Sequence, residues 1–333
     1  EKKGLWISSR KIEFMQEIIP PVDRELLKAE LNKDVFLRYT NNGNNEIYLI
    51  NYHNSPNAMR EIGRLRELTF RGAGGGTGLS IDIDENDTCD DCYDQLIAWN
   101  PEDEEVVAGY RVIKCTEAGE TNGIPNLSTA HYFQFSDQFT KDYLPYTIEL
   151  GRSFVQPRYQ PAIDNRKGIF SLDNLWDGLG ALVMLNPEIK YLFGKVTMYP
   201  HYNKDARDML LYFMDYYFPD QDKLVTPLPD LEIKNDYDRF IGVFDGLDYK
   251  EGYKILNSHV RALGENIPPL INTYMNLSPT MKSFGTARND EFGTVEEKGI
   301  LIVIEDVYPV KKERHMNTFE RDREYGHRKP KRV

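Results

Sequence analysis

The stretch Thr147–Val155 (TIELGRSFV) constrains this chain more than any other. It alternates apolar residues with polar or small ones, the period of two that marks a strand buried on one face. Two charges, Glu149 and Arg152, interrupt it, and Gly151 lies between them. Glycine inside a strand costs stability, and it marks a bulge or a place where another backbone or a ligand comes close. A carboxylate, a bulge-prone glycine and a guanidinium within four residues are pieces that acyl transfer to an amine can use. The competing reading is an edge strand carrying a surface ion pair.

A chain of 333 residues, 40% hydrophobic with 21 Tyr and 16 Phe, can bury a sizeable core around such a strand. Net charge is −12, which argues against broad nucleic-acid binding. The charge is uneven: Lys311 to Val333 holds nine Lys/Arg and four Asp/Glu, leaving −17 for the rest. This tail reads as a solvated terminus; the functional alternative is contact with an anionic membrane surface or an acidic carrier. No run of about eighteen apolar residues is present, so no spanning helix is expected. The opening residues lack a signal-peptide core, and the expected location is cytoplasmic, with peripheral membrane contact as the alternative. Three cysteines give no disulfide framework, and the aspartates between Cys89 and Cys92 would raise a thiol pKa. No metal site is expected.

Along the chain, residues 1–45 read as a polar lead-in, with Asp23 capping a short helix through Leu31. Glu46–His53 reads as a strand, and Ser55-Pro56 starts a helix to about Phe70. On that helix Arg60 and Arg64 share a side and suit solvent or an anionic group. The glycine-rich run 71–78 lacks the ending of a phosphate-binding loop. Asp82–Asp87 mimics the start of a calcium loop, but Asp87 stands where glycine is needed and Tyr93 where glutamate is needed. Asp94–Trp99 and Val106–Cys115 form a hairpin, and Ala130–Phe135 is strand-like. The loop 156–170 carries Arg166, Lys167 and Gly168 and feeds a helix from Ser171 to Leu185, whose free amides suit an anion. A strand over Tyr191–Tyr199, a helix over Lys204–Tyr217, an acidic mixed stretch 219–265, a short helix Leu270–Leu277 and strands near 281–292 and 299–307 follow.

This order resembles the GNAT acyltransferase fold: an α/β (α+β) architecture with a mixed central sheet flanked by helices, plus N-terminal and late-chain additions. The details are similar to the bacterial lipid amino-acid N-acyltransferases, which make ornithine and glycine lipids, are often labelled hemolysins, and are related to acyl-homoserine lactone synthases. The match rests on Arg64-Leu65-Arg66 with Phe70, Asp94-Gln95-Leu96, Gly109-Tyr110-Arg111 and Glu149-Leu150-Gly151-Arg152. Tyr191-Leu192-Phe193-Gly194 and Ile267-Pro268-Pro269-Leu270 with Tyr274 complete it. It spans roughly 45–307 and looks most like the Bacteroides-type members. The organisation expected is an extension (1–45), an acyltransferase domain (46–307) with an insertion around 219–265, and a basic tail (308–333). One departure is Gln95, where many relatives have histidine.

The resemblance implies a long-chain, 3-hydroxyacyl thioester on acyl carrier protein, or acyl-CoA, as donor, with no tightly bound cofactor. The acceptor is the α-amine of an amino acid of glycine or ornithine type. A protonated amine must lose its proton before it attacks a thioester, and Glu149 is the candidate base. Backbone amides near Gly151 are candidates for the oxyanion. Arg152 is expected to hold Glu149 or the acceptor carboxylate, with Arg111 as the second carboxylate candidate. Arg64, Phe70 and Asp94 are expected on the substrate side, with Tyr199 and His201 near the leaving thiol. Arg166, Lys167, Gly168 and Ser171 are expected at the pantetheine phosphate. Other GNAT chemistry and a non-catalytic acyl-binding protein are the alternatives; a long apolar tunnel favours the lipid enzyme.

Overall fold

The computed structural model describes residues 15–160, 168 and 170–325. In chain order the strands are β1 Phe36–Tyr39, β2 Glu46–Ile50, β3 Asp94–Asn100, β4 Glu105–Lys114, β5 Glu120–Thr121, β6 Ile124–Pro125 and β7 Phe133–Phe135. They continue as β8 Thr147–Val155, β9 Tyr191–Met198, β10 Val225–Pro227, β11 Glu232–Ile233, β12 Lys282–Asn289 and β13 Val295–Val303. Nine of them form one sheet in the order β1-β2-β3-β4-β8-β9-β13-β12-β11. Its pairs are antiparallel except β8 with β9, which run parallel. The α/β organisation with a central mixed sheet is the one the sequence order implies.

The helices are α1 Arg24–Glu30, α2 Pro56–Gly72, α3 Glu85–Thr88, α4 Ser171–Leu185, α5 Lys204–Tyr217, α6 Tyr249–Ala262, α7 Pro269–Met275, α8 Pro309–Lys312 and α9 Thr318–Tyr325. Strand alternation sorts the core into two faces. Ile47, Leu96, Tyr110 and Leu150 pack with Leu175 and Leu179 of α4, Phe213 of α5, Leu256 of α6 and Ile271 of α7. On the opposite face Ile62 and Leu65 of α2 pack with Ile97, Trp99 and Phe154. A neighbouring aromatic cluster joins Phe133, Phe139, Phe193 and Phe284.

Three stretches differ from their sequence reading. Part of the lead-in is β1, the edge of the sheet. The acidic stretch 219–265 contains the fourteen-residue α6, started by a capping box in which Asp248 accepts from the Glu251 amide and Glu251 accepts from the Asp248 amide. The basic tail is helical over Thr318–Tyr325 and packs against the body of the protein, with Phe319 and His315 buried. His315 Nδ1 lies 2.8 Å from Asp177 Oδ1 and Arg314 donates to Asp173, so acids of α4 fasten the segment. Only 326–333 of that tail lies outside the described residues. No helix among the described residues is long and apolar enough to cross a membrane.

Candidate active site

The parallel ladder between β8 and β9 is four residues long, from Thr147–Tyr191 to Leu150–Gly194. At its last rung a Cβ on Gly194 would stand 2.5 Å from the Leu150 carbonyl oxygen, so only glycine permits the approach. Beyond it the strands separate. A bulge turns β8 at the same point: Arg111 pairs with Gly151 and Gly109 with Phe154, so two steps on β4 face three on β8. Arg152 occupies the bulge at φ 47°. The bulge expected at Gly151 is present, and the left-handed residue is the arginine beside it.

A cavity of about 220 Å³ fills the opening. Glu149, Gly151 and Arg152 line it from β8, and Lys195 and Thr197 from β9. Phe70, Tyr199 and Phe292 form one side; Pro268, Pro269, Leu270 and Ile271 form an uncharged far wall. A second, more polar cavity of about 450 Å³ shares Ser128, Arg152 and Phe292 with the first.

Glu149 has no exposed surface. Tyr93 Oη donates to Oε1 at 3.1 Å and Thr129 Oγ1 to Oε2 at 2.8 Å. Burial raises its pKa above the ordinary carboxyl value, opposed by the Thr129 hydrogen bond, the Arg111 charge, Tyr93 and Lys195. Tyr93 is itself fixed by accepting from the Ser128 amide at 2.9 Å. A dry carboxylate held by two hydroxyls, its pKa raised by burial, is a stronger base than an exposed one and suits proton abstraction.

Beneath the cavity lies a ladder of alternating charge. Arg152 Nε is 3.0 Å from Asp82 Oδ2, Arg111 donates to both Asp84 oxygens at 2.7 Å, and Arg66 donates to both oxygens of Asp87. Burial pushes Asp84 up, but Arg111, Arg152 and Arg66 outweigh it and hold the carboxyl well below its usual range. The segment that fails as a calcium loop therefore supplies the counter-charges for three arginines. This corrects the expected pairing of Arg152 with Glu149: the guanidinium is held by Asp82 and Asp84 and lies over the Phe292 ring at 4.7 Å. Arg111 is buried in the ladder rather than exposed at the cavity.

Of the other expected residues, Phe70 and Tyr199 line the cavity, Phe70 against Phe292 with centroids 5.2 Å apart. His201 is exposed and stacks on Tyr199. Arg64 lies outside both cavities because Glu61 holds it through two hydrogen bonds on the α2 surface. Asp94 accepts from Asn51 at 3.0 Å at the start of β3, also away from them. Ser171 is buried and donates to the Tyr159 carbonyl, and Gly168 is buried, so neither presents a surface to a phosphate. Arg166 and Lys167 lie outside the described residues.

Sequence reading missed Lys195 and Glu297. Lys195 Nζ donates to Glu297 Oε1 at 2.6 Å; Thr197 and Asn289 satisfy the same carboxylate, which lines the cavity with 1% exposure. The available signal for Lys195 was a lone charge in the otherwise apolar Tyr191–Met198, whereas Glu297, between Glu296 and Lys298, carried none.

A sheet that opens at its middle while a carboxylate stays dry beside the gap is the arrangement of the GNAT acyltransferase class, and the acetyltransferase (GNAT) domain model matches residues 65–163. Curated relatives extend the likeness over the chain. A glycine N(alpha)-acyltransferase of Phocaeicola vulgatus is 55% identical over 306 residues, 92% of this chain and 94% of the relative. One of Bacteroides thetaiotaomicron is 56% identical over the same length, 92% of this chain and 91% of the relative. The chain belongs to this family and is an N-acyltransferase. No solved structure matches it significantly.

Proposed function

We propose that the protein moves a long-chain acyl group, 3-hydroxylated in its physiological form, from a carrier-protein thioester to the α-amine of glycine. The observation that carries this reading is Glu149: buried, raised in pKa, and on the wall of a cavity that has an uncharged far side and adjoins a more polar cavity at Ser128, Arg152 and Phe292. The acceptor follows from the relatives' activity, which is N-acylation of glycine. Glycine enters from the polar side, its carboxylate near Arg152. Glu149 takes the ammonium proton, directly or through a water, and the amine attacks the thioester carbonyl. Backbone amides at the bulge face the oxyanion. The C–N bond forms, the C–S bond breaks, and the second proton of the attacking nitrogen passes to the departing thiolate, with Tyr199, which lines the cavity, as the candidate relay.

Transfer of a short acyl group from coenzyme A is a second reading, favoured by the cavity's size: about 220 Å³ is below the roughly 300–1,000 Å³ of ordinary small-molecule sites. Mass spectrometry of lipid extracts from a host expressing wild type or Glu149→Gln decides between them. A new long-chain acylglycine with the wild type alone is the expected result. Acetylglycine alone, acylornithine alone, or equal product from both proteins would overturn the proposal.

A further inference from the structure

We propose that one face of α6 is the docking surface for the acidic carrier protein that brings the acyl thioester, an inference that rests on the reading above. Lys250, Lys254 and Arg261 are four and seven residues apart, which places them within about 40° of one another on the helix. All three are exposed, and among the described residues none forms an ion pair or a side-chain hydrogen bond. The one other residue on that line is the neutral Asn257. The helix's acid, Glu251, projects about 60–100° from the members of the line, and its side chain is engaged by the Asp248 amide. His259, on the opposite side, packs against Phe240 in the acidic stretch. A basic line about 16 Å long is thus set into a protein of net charge −12.

Its position relates it to the site. Tyr253, on the flank of the line, donates to Asn272 of α7 at 2.6 Å, so the line borders α7. Seven residues after Arg261 the chain reaches Pro268, and Pro268, Pro269, Leu270 and Ile271 form the uncharged wall of the cavity beside Glu149. A carrier seated on α6 therefore stands next to the wall of the cavity that its thioester must reach. Away from the basic segment 311–333, whose Arg314 is taken up by Asp173, the protein's negative charge repels an acidic partner, so the line favours one place and orientation. A lipid surface fits less well. The exposed side of α6 offers one large apolar residue, Ile255 at 38% exposure, where an interfacial helix needs an apolar face to bury.

The test compares wild type with the triple variant Lys250→Glu, Lys254→Glu, Arg261→Glu, and with the milder triple alanine variant as a control for folding. Each is assayed for N-acylation of glycine with the same 3-hydroxyacyl chain on acyl carrier protein and on pantetheine. The proposal expects KM for the carrier-borne donor to rise about tenfold or more in the reversed variant, and less in the alanine variant. Turnover with acyl-pantetheine stays at the wild-type level. Added salt should raise the wild-type KM for the carrier and leave the reversed variant nearly unaffected. An unchanged carrier KM, or equal impairment with both donors, overturns the docking surface while leaving the acylation reading intact. Lost co-sedimentation with phosphatidylglycerol vesicles at an unchanged carrier KM assigns the line to a membrane instead and also overturns it. A wild type inactive with both donors refutes the parent reading and this proposal together.

Discussion

Replacing Glu149 by Gln removes the base while keeping nearly the same shape. The glutamine carbonyl can still accept from Tyr93, and its amide can donate to Thr129 Oγ1, so both hydroxyls keep a partner. A positioned general base contributes roughly 10²–10⁴-fold, equal to roughly 3–5 kcal/mol of barrier at about 1.4 kcal/mol per decade. Steady-state assays with saturating donor should therefore show kcat lowered by two to four decades. The wild type should lose kcat/KM as pH falls through the Glu149 pKa, which burial places above the ordinary carboxyl value of about 4.3. The variant should lack that limb. Stability should move the other way. Because the folded pKa is raised, the folded protein keeps a proton that the unfolded chain has already lost. The associated stability is complete below the unfolded pKa and drains away as pH rises through the folded one. Thermal unfolding of the variant should match or exceed the wild type at pH 7–8, with the gap closing toward about pH 4. A kcat within threefold of wild type and an unaltered acid limb would refute the assignment.

Arg66→Met strips the main partner from the fully buried Asp87; breaking a buried pair costs about 3–5 kcal/mol, and the lower end is expected because Gln95 Nε2 still donates to Asp87 at 3.1 Å. Denaturant midpoints would show it, and a loss under 1 kcal/mol would contradict the charge ladder. Gly194→Ala drives a methyl into the Leu150 carbonyl and should cost about 1–3 kcal/mol together with most of the activity; a fully active variant would mean the strand opening tolerates movement. Gly180→Ala meets the His315 carbonyl and should release residues 309–325, seen as faster amide exchange there with α4 unchanged. Arg152→Lys keeps the charge but loses the fork that spans Asp82 and Asp84, so KM for glycine should rise more than kcat falls; an unchanged KM removes the carboxylate role.

Local patterning carried the central elements. The alternation of Thr147–Val155, the Ser55-Pro56 start of α2 and the apolar spacing of α4 and α5 depend on neighbours a few residues apart, and those elements lie where the pattern puts them. What could not be read locally were partnerships across the fold. Arg152 and Asp82 are 70 residues apart and Lys195 and Glu297 are 102 apart, so nothing near either residue signals the pairing. Glu149 and Arg152 are close in sequence, which suggested that they meet; the bulge turns them to different partners. Helix α6 was legible in principle, through its Asp-x-x-Glu start and Tyr249, Tyr253, Leu256 and Val260, but the surrounding acids obscured it. The basic tail misled because net charge reports solvation only where no acids wait elsewhere; Asp173 and Asp177 were waiting on α4.

That docking has a bearing on how the molecule assembles during synthesis. Arg38, with no exposed surface, donates to the His315 carbonyl at 3.1 Å and to Thr318 Oγ1 at 3.3 Å, residues made 277 and 280 positions later. Until they emerge from the ribosome, the edge strand holds a guanidinium lacking these acceptors, and the growing polypeptide cannot finish the layer that covers it. Completion of the native state is therefore expected to follow translation, and nascent chains halted before His315 should be the forms that chaperones retain.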